Sequence, residues 1–490
     1  MERLENVNFI ERDVIESVAR GQKIITRYPP EPNGYMHIGH AKAFGINRGL
    51  ALKYGGRTNL RFDDTNPEKE DMKYVDAMQR DLFWLGLEWE NLFFASDYYE
   101  DLYKMAQTLI KKGLAYVDFS TADEIKEMKG GLGIPGRESK YRNTDSKLNM
   151  TEFAKMRSGD YPDGHCVLRA KIDMSSGNMN MRDPVIYRIM RVPHYRTGTD
   201  WLIYPLYDFA HPLSDAIENI SHSNCSLEFQ DHRPLYDWFI ANCLDMKTPP
   251  RQFEFSRLNV EQTIVGKRFL KRLIDEGVVD GWDDPRMPTI SGMRRRGYPP
   301  QAIMDFVTST GVSKTPTTVP LSALEYYVRT HLDKTAPRIS IVFNPLKIKI
   351  GKREFWIEQD DFSESPPEGW KRLTVGGVVR LREFMNIKCV KVHKDYLECV
   401  ETDENHSGII HWVDAKDAIE ITVNEFEPLL FKGTALVEEN INKDSKRVSK
   451  AFASPEILNI DGNFQAVRKG FYIKEDERVI NKTVGLKERF

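Results

Sequence analysis

Two histidines three residues apart, His37 and His40, stand where a proline-rich loop (PPEPNG, residues 29–34) gives way to a segment of helical periodicity. A helix start carries unpaired N–H groups and the positive end of the macrodipole, and so attracts phosphate. Imidazoles at i and i+3 share one face and can donate to phosphate oxygens whose charge changes during a reaction. Gly39 between them lets a nucleotide come close to the backbone. The same spacing also suits a helix cap and a packed side chain, so the pair alone does not decide. Two further groups have chemical potential: Asp63 and Asp64 at the end of the strand-like TNLRF, and Gly266-Lys267-Arg268, which places an ammonium in a pliable loop. Asp63 and Asp64 are open to a plainer reading as a helix cap and a solvated turn residue.

The elements that must hold these residues follow from pattern. KIITRY (23–28) reads as a buried strand, the prolines after it force a loop, and HIGHAKAFGINRGLALK is helical up to a glycine pair. The strand TNLRF comes next, and strand, loop, helix, strand opens a doubly wound α/β domain, whose ligands bind beyond the carboxyl ends of the strands. Helical patterns in MKYVDAMQRDLFWLGLEW and YYEDLYKMAQTLIKKGLAY lead into a turn-rich region from about 117 to 200, which predicts an inserted subdomain. A second α/β stretch returns near 201, residues 262–335 are helical and locally basic, and beyond Pro337 the apolar period changes to two. That last third reads as one or two small antiparallel barrels.

Composition limits the classes. The 490 residues are 29% charged with a net charge of −3, which gives no hint of a polyanionic partner. No apolar run approaches the ~20 residues of a membrane helix, and MERLENVNFIERD lacks the apolar core of a signal peptide, so a cytoplasmic protein without membrane contact is expected. The five cysteines (Cys166, Cys225, Cys243, Cys389, Cys399) form no CxxC pair, so neither a disulfide framework nor a metal site is indicated.

The opening stretch as a unit, with LRFDDTNPEKED, YPLYDFAHPLSDAIENISHSNCSLEFQDHRPLYDW, RQFEFSRLN and GWDDPRMPTISGMRRRGY, resembles the class I aminoacyl-tRNA synthetases of the glutaminyl and glutamyl branch, and within it the members that use glutamine. The first signature of the class, His-Ile-Gly-His, is complete at residues 37–40. The resemblance implies a Rossmann-like catalytic domain in two halves (1–100 and 201–261), an inserted α/β subdomain for the tRNA acceptor stem (101–200) and a helical subdomain with the second signature (262–335). It also implies β-barrels for the anticodon (336–490), a distal one near 351–424 and a proximal one from 336–350 and 425–490.

The resemblance further implies the reaction. Glutamine attacks ATP, which arrives with magnesium, and the 2'-OH of the terminal adenosine of tRNA(Gln) takes the acyl group, on an enzyme expected to be a monomer. His37, His40 and Lys267 carry catalysis; Glu31, Asn33, Gly34, Gly39, Arg257, Gly266 and Arg268 join them in the ATP site. Arg27 and Asp63 hold the carboxylate and ammonium of the amino acid, opposite charges facing the two ends of a zwitterion. Tyr207, His211 and Gln252, with Cys225 nearby, read the carboxamide, since neutral donors and acceptors suit an uncharged amide. Asp231 reads acceptor-stem bases, the run Arg294, Arg295, Arg296 faces phosphate or solvent, and Arg338, Gln465 and Arg468 contact the anticodon. Relatives have Met-Ser-Lys-Arg where this chain has Val265-Gly266-Lys267-Arg268, and its barrel region is shortened. A glutamyl-specific enzyme of relaxed specificity and a catalytically weakened tRNA-binding relative are the alternatives.

Overall fold

The computed structural model describes residues 7–264, 266–431, 433–434 and 440–487. Val265, at the second signature, lies outside the described residues. Two compact units emerge: one runs through Asn259 and takes back Val307–Thr317, and the other holds Val260–Phe306 and the chain from Thr318 on.

The first unit opens with three parallel strands, β1 (Ile25–Tyr28), β2 (Arg57–Phe62) and β3 (Asn91–Phe94), in that order. Parallel neighbours need long crossovers, and the helices Ile38–Lys53 and Met72–Trp84 supply them. The first of these ends as its glycine pair predicts, with Gly55 at φ +66° just past the cap Tyr54. Buried Leu60 and Phe62 fill one side of the sheet, and Thr26 and Thr58 share a hydroxyl hydrogen bond of 2.8 Å in its interior.

A four-stranded antiparallel sheet follows: β4 (Ala115–Asp118), β5 (Val167–Ala170), β6 (Val185–Ile189) and β7 (Ile203–Pro205). Two expectations are corrected here. The helix read through residues 98–116 stops at Lys111, because Gly113 turns the chain at φ +71° and Ala115–Asp118 pairs with β5. The inserted subdomain also extends past 200, since Ile203–Pro205 closes its sheet against β6. The parallel pair β8 (His222–Ser226) and β9 (Arg251–Phe255) then returns to the catalytic core. Ser221 fastens it to β1: its N–H donates to Ile25 O at 2.8 Å and its hydroxyl accepts from Ile25 N–H at 2.9 Å.

In the second unit the helices Lys267–Asp275, Ile290–Arg296 and Leu321–Thr335 precede two seven-stranded barrel-like sheets. The distal sheet contains Pro345–Ile350, hairpinned to Arg353–Glu358, and the proximal sheet contains Ile419–Phe426. The division therefore falls before 345 and before 419, earlier at both places than the pattern implied, because strand pairing rather than composition sets it. Neither sheet is purely antiparallel: Arg338–Ile339 runs parallel to Asn463–Ala466 in the proximal sheet, and Pro345–Ile350 runs parallel to Leu397–Glu401 in the distal one. The shortened connection is a tight turn of Gly351 and Lys352, with Gly351 at φ +60°.

Candidate active site

His37 is the N-cap of the helix Ile38–Lys53, on extended backbone with φ −125° and ψ 175°. Its Nδ1 accepts from Gly39 N–H at 3.1 Å, while its own N–H donates to Nδ1 of His40 at 3.0 Å. The two imidazoles thus form a reciprocal capping box, with ring centroids 3.9 Å apart. The plain reading of the pair as caps is correct. An Nδ1 engaged as acceptor fixes the neutral ring in the tautomer with its proton on Nε2, a donor suited to phosphate oxygen. Gly39 has a second reason to be glycine, because a Cβ there would stand 2.9 Å from Cε1 of His37 and push that ring off the helix start. The PPEPNG loop is tied to the end of β2 by a hydrogen bond of 3.1 Å from Asp63 N–H to Pro30 O, and to the N-cap of the helix Met72–Trp84 by one of 3.1 Å from Asp71 N–H to Pro32 O. Within the loop, Asn33 donates to the exposed Glu31 carboxylate at 2.5 Å, and Gly34 is buried.

Below this loop, β1, β2, β8 and the helix Tyr207–Ile217 enclose a network of charges. Asp215 is its hub, accepting from Arg27 Nε at 3.1 Å, Arg61 at 2.8 Å, Ser223 Oγ at 2.6 Å and Tyr236 OH at 2.9 Å. Arg61 also donates to Asp63 at 2.7 Å and to Glu218 at 3.1 Å. His211 has Nε2 2.9 Å from Arg27 and Nδ1 3.4 Å from Asp63. Burial works against a charge on His211, but Asp215 and Asp63 outweigh it and push the imidazole up to about 9. Burial likewise opposes ionisation of Asp215, and Arg27, His211 and Arg61 nevertheless hold it far below the usual carboxylate range.

Arg27 corrects an expectation. It is fully buried, and its guanidinium is spent on Asp215, on Asn224 O at 2.9 Å and on Ser223 Oγ at 2.5 Å. It braces the pocket from beneath and has no exposed face for the carboxylate of a substrate. Asp63, Tyr207, His211 and Cys225 are brought together as expected: the Tyr207 ring stacks on His211 with centroids 4.9 Å apart, and Cys225 Sγ lies 3.9 Å from His211 Nε2. Gln252 is one contact removed, donating at 3.0 Å to the carbonyl of Phe229, whose ring packs on Tyr207.

Asp64 is fully buried, which overturns its reading as a solvated turn residue. Its carboxylate accepts from Ser96 N–H at 2.8 Å, Ser96 Oγ at 2.7 Å and Tyr195 OH at 3.0 Å, and burial pushes it up to about 7. Its carbonyl accepts from Tyr99 OH at 2.6 Å. Burial, then the neighbouring Asp64, raises Glu70 to about 9. Sequence reasoning missed Arg61, Asp215 and Glu218, although charged residues inside otherwise apolar segments were the available signal, since buried charges must be paired. It also missed Leu132, which is 92% exposed in a small turn of the insertion closed by a Gly131–Ile134 bridge.

Other candidates are spread out. Arg257 is exposed just past β9 and ion-pairs with Glu228. Asp231 is exposed on the turn Leu227–His232, and its carbonyl accepts from Asn178 of the insertion at 2.7 Å. Gly266 caps the helix Lys267–Asp275, which Lys267 and Arg268 begin; Leu270 and Leu273 bury its inner face. Arg295 and Arg296 correct another expectation: both turn onto the proximal sheet rather than toward phosphate. Arg295 donates to Glu475 at 2.6 Å, and Arg296 donates to Phe426 O at 3.3 Å; Arg294 precedes them in the same last helical turn. Arg338 is exposed and lies in register with buried Gln465, while Arg468, at φ +68°, forks onto buried Asp361 at 3.0 and 2.7 Å.

Residues 23–334 match the family described as tRNA synthetases class I (E and Q), catalytic domain, and residues 347–403 and 409–475 match two anti-codon binding domains of the same group. The chain belongs to the class I tRNA synthetases of the glutamate and glutamine branch, and it is an aminoacyl-tRNA ligase. A glutamine–tRNA ligase of Clostridium kluyveri is 45% identical to it, over 99% of this chain and 98% of that protein. One of Clostridium perfringens is 46% identical over the same shares, and one of Chromobacterium violaceum 43% identical over 98% of each. A solved glutamate-tRNA synthetase from Elizabethkingia anophelis aligns with a TM-score of 0.47 at 19% identity, over 64% of this chain and 72% of that one.

Proposed function

We propose that the chain ligates glutamine to tRNA(Gln) at the carboxyl ends of β1, β2 and β8. The observation that carries the reading is that Asp63, at the floor of the amino-acid pocket, is hydrogen-bonded through its own N–H to the loop that leads into the His37–His40 helix start. An ammonium held at Asp63 and phosphates held at His37 and His40 are thereby fixed to one another, and positioning of this kind supplies much of the rate in adenylate formation. The carboxylate of glutamine attacks the α-phosphorus of ATP, pyrophosphate departs, and the Nε2 protons of His37 and His40 stabilise the charge that develops on phosphate oxygen. Lys267 neutralises the leaving pyrophosphate, together with magnesium delivered by ATP. Glu31, Asn33, Gly34, Gly39, Arg257, Gly266 and Arg268 complete the ATP site.

Charge balance accounts for the choice of an amide. The pocket holds Arg27 and Arg61 against Asp63, Asp215 and Glu218, with the His211 ring between them, so both guanidiniums are already matched by carboxylates. A substrate carboxylate buried there would find no unbalanced cation, whereas a carboxamide asks only for hydrogen bonds, from Tyr207 and its neighbours. Leu132 supplies an apolar wedge where the acceptor stem meets the insertion, with Asp231 reading base edges. Arg338, Gln465 and Arg468 face the anticodon, Arg468 after exchanging Asp361 for a base edge. Among the described residues no helix is long and apolar enough to cross a membrane, and a cytoplasmic monomer fits the reading. ATP–pyrophosphate exchange with tRNA present, run with glutamine and with glutamate, tests it. A strong preference for glutamine is expected; equal exchange with glutamate would mark a relaxed glutamyl enzyme, and none with either a tRNA-binding relative.

A further inference from the structure

Cys389 and Cys399 stand directly opposite one another on the antiparallel strands Asn386–Val392 and Leu397–Glu401 of the distal sheet. The backbone of Cys389 turns away from Cys399, its N–H donating to Gly377 O at 3.4 Å and its carbonyl accepting from Gly376 N–H at 2.7 Å. The two cysteines therefore form a non-hydrogen-bonded cross-strand pair, in which Cα atoms approach to about 4.5 Å. That separation falls within the roughly 4.4–6.8 Å that a disulfide spans. Both side chains point inward, at 0% and 1% exposure, into one apolar cluster with Ile387, Leu397 and Val379. Both are free thiols.

From this placement the geometry points to Cys389 and Cys399 as a disulfide-forming pair, a covalent modification site in the distal sheet whose co-reactant is a small hydroperoxide. A hydrogen bond from the Cys399 thiol lowers the Cys389 thiol below the usual cysteine range, and the same bond raises Cys399. The ladder breaks register just after Cys389, between Cys389 and Lys391, so local opening reaches Cys389 first and makes it the nucleophile, with Cys399 the resolving thiol. The Cys389 sulfur attacks one peroxide oxygen, the O–O bond breaks, and the departing hydroxide leaves as water, with Cys389 a sulfenic acid. The Cys399 sulfur then attacks the Cys389 sulfur, the S–O bond breaks, and the second hydroxide leaves as water with the Cys399 proton. Two thiols and one hydrogen peroxide give one disulfide and two waters. The reaction proceeds through local opening of the hairpin, because neither sulfur is exposed. The other thiols lack this arrangement: burial pushes Cys166 and Cys243 up to about 12, and Cys225 lies against Arg27 and His211.

The experiment treats the full-length folded protein with hydrogen peroxide at neutral pH, then unfolds it, alkylates it and weighs its peptides with and without reductant. A peptide pair joined through Cys389 and Cys399 and separated by dithiothreitol is expected, with Cys389 consumed about tenfold faster than Cys166. In Cys399→Ala, or Cys399→Ser if the alanine variant melts early, Cys389 should stop at the sulfenic acid, trapped by a cyclic 1,3-dione, with no cross-link. The proposal is overturned if both cysteines stay alkylatable after exposure that leaves the circular dichroism of the protein native. A cross-link joining Cys389 to any cysteine other than Cys399 overturns it equally.

Discussion

Replacing Gly266 with serine isolates what this chain gives up at its second signature. Gly266 caps the helix Lys267–Asp275 with φ −75° and ψ 106°, a conformation open to any residue, and offers no side chain to the helix N–H groups. A Cβ there would meet nothing nearer than Phe269 Cβ at 3.9 Å, so serine enters without strain. Its hydroxyl can accept from the N–H of Arg268, and serine is a better cap than glycine by only a few tenths of a kcal/mol. Capping alone therefore changes the ordered fraction of the helix start by less than about twofold. If the hydroxyl also reaches the departing pyrophosphate, one hydrogen bond adds about 1 kcal/mol, or about fivefold in rate. Exchange of labelled pyrophosphate into ATP, at saturating glutamine and tRNA, should then rise two- to fivefold in Gly266→Ser. Glutamine preference should not move, because the pocket is built from β1, β2, β8 and the helix Tyr207–Ile217. A fall in rate, or a changed ratio of glutamine to glutamate, would refute the reasoning.

Three further outcomes are expected. His40→Gln keeps an acceptor for His37 N–H at the third helical position, so its melting temperature should stay near wild type while adenylate formation drops at least about tenfold; alanine should lose both, the cap being worth about 1 kcal/mol. Parallel melting curves and exchange rates check this, and an unchanged exchange rate in His40→Gln would leave His40 as a cap alone. Asp64 titrates near 3.8 when unfolded and near 7 when folded, so between those values the native state binds more protons and stability falls as pH rises. In Asp64→Asn the decline in urea-unfolding free energy between about pH 4 and 7 should flatten, while Glu70 maintains a slope toward pH 9. Leu132→Ser should leave stability within about 0.5 kcal/mol, because the side chain is 92% exposed, and yet lower kcat/KM for tRNA charging; equal charging would remove the wedge role.

Much of the catalytic core was legible in the sequence because its signals are local. Proline sets the loop after β1, glycine stops the helix Ile38–Lys53, and the spacing of His37 and His40 is itself a capping box. Nothing local marked the rest. Asp64 has the same neighbours in sequence as Asp63, yet only packing against Ser96 and Tyr195 distinguishes a buried, proton-holding carboxylate from the one that Arg61 and His211 hold below the usual range. Arg27 keeps the expected residue type and takes another role, because Asp215 and Ser223, nearly two hundred residues away, claim its guanidinium before any ligand can. The turning of Arg295 and Arg296 onto a sheet, and the register that faces Cys389 with Cys399, depend on strand pairing. The sequence by itself determined which chemical groups are present and which short elements carry them. Burial and pairing, which depend on residues far apart along the chain, were decided only by the tertiary structure, and they set the charge each group bears and whether it meets solvent, substrate or another side chain.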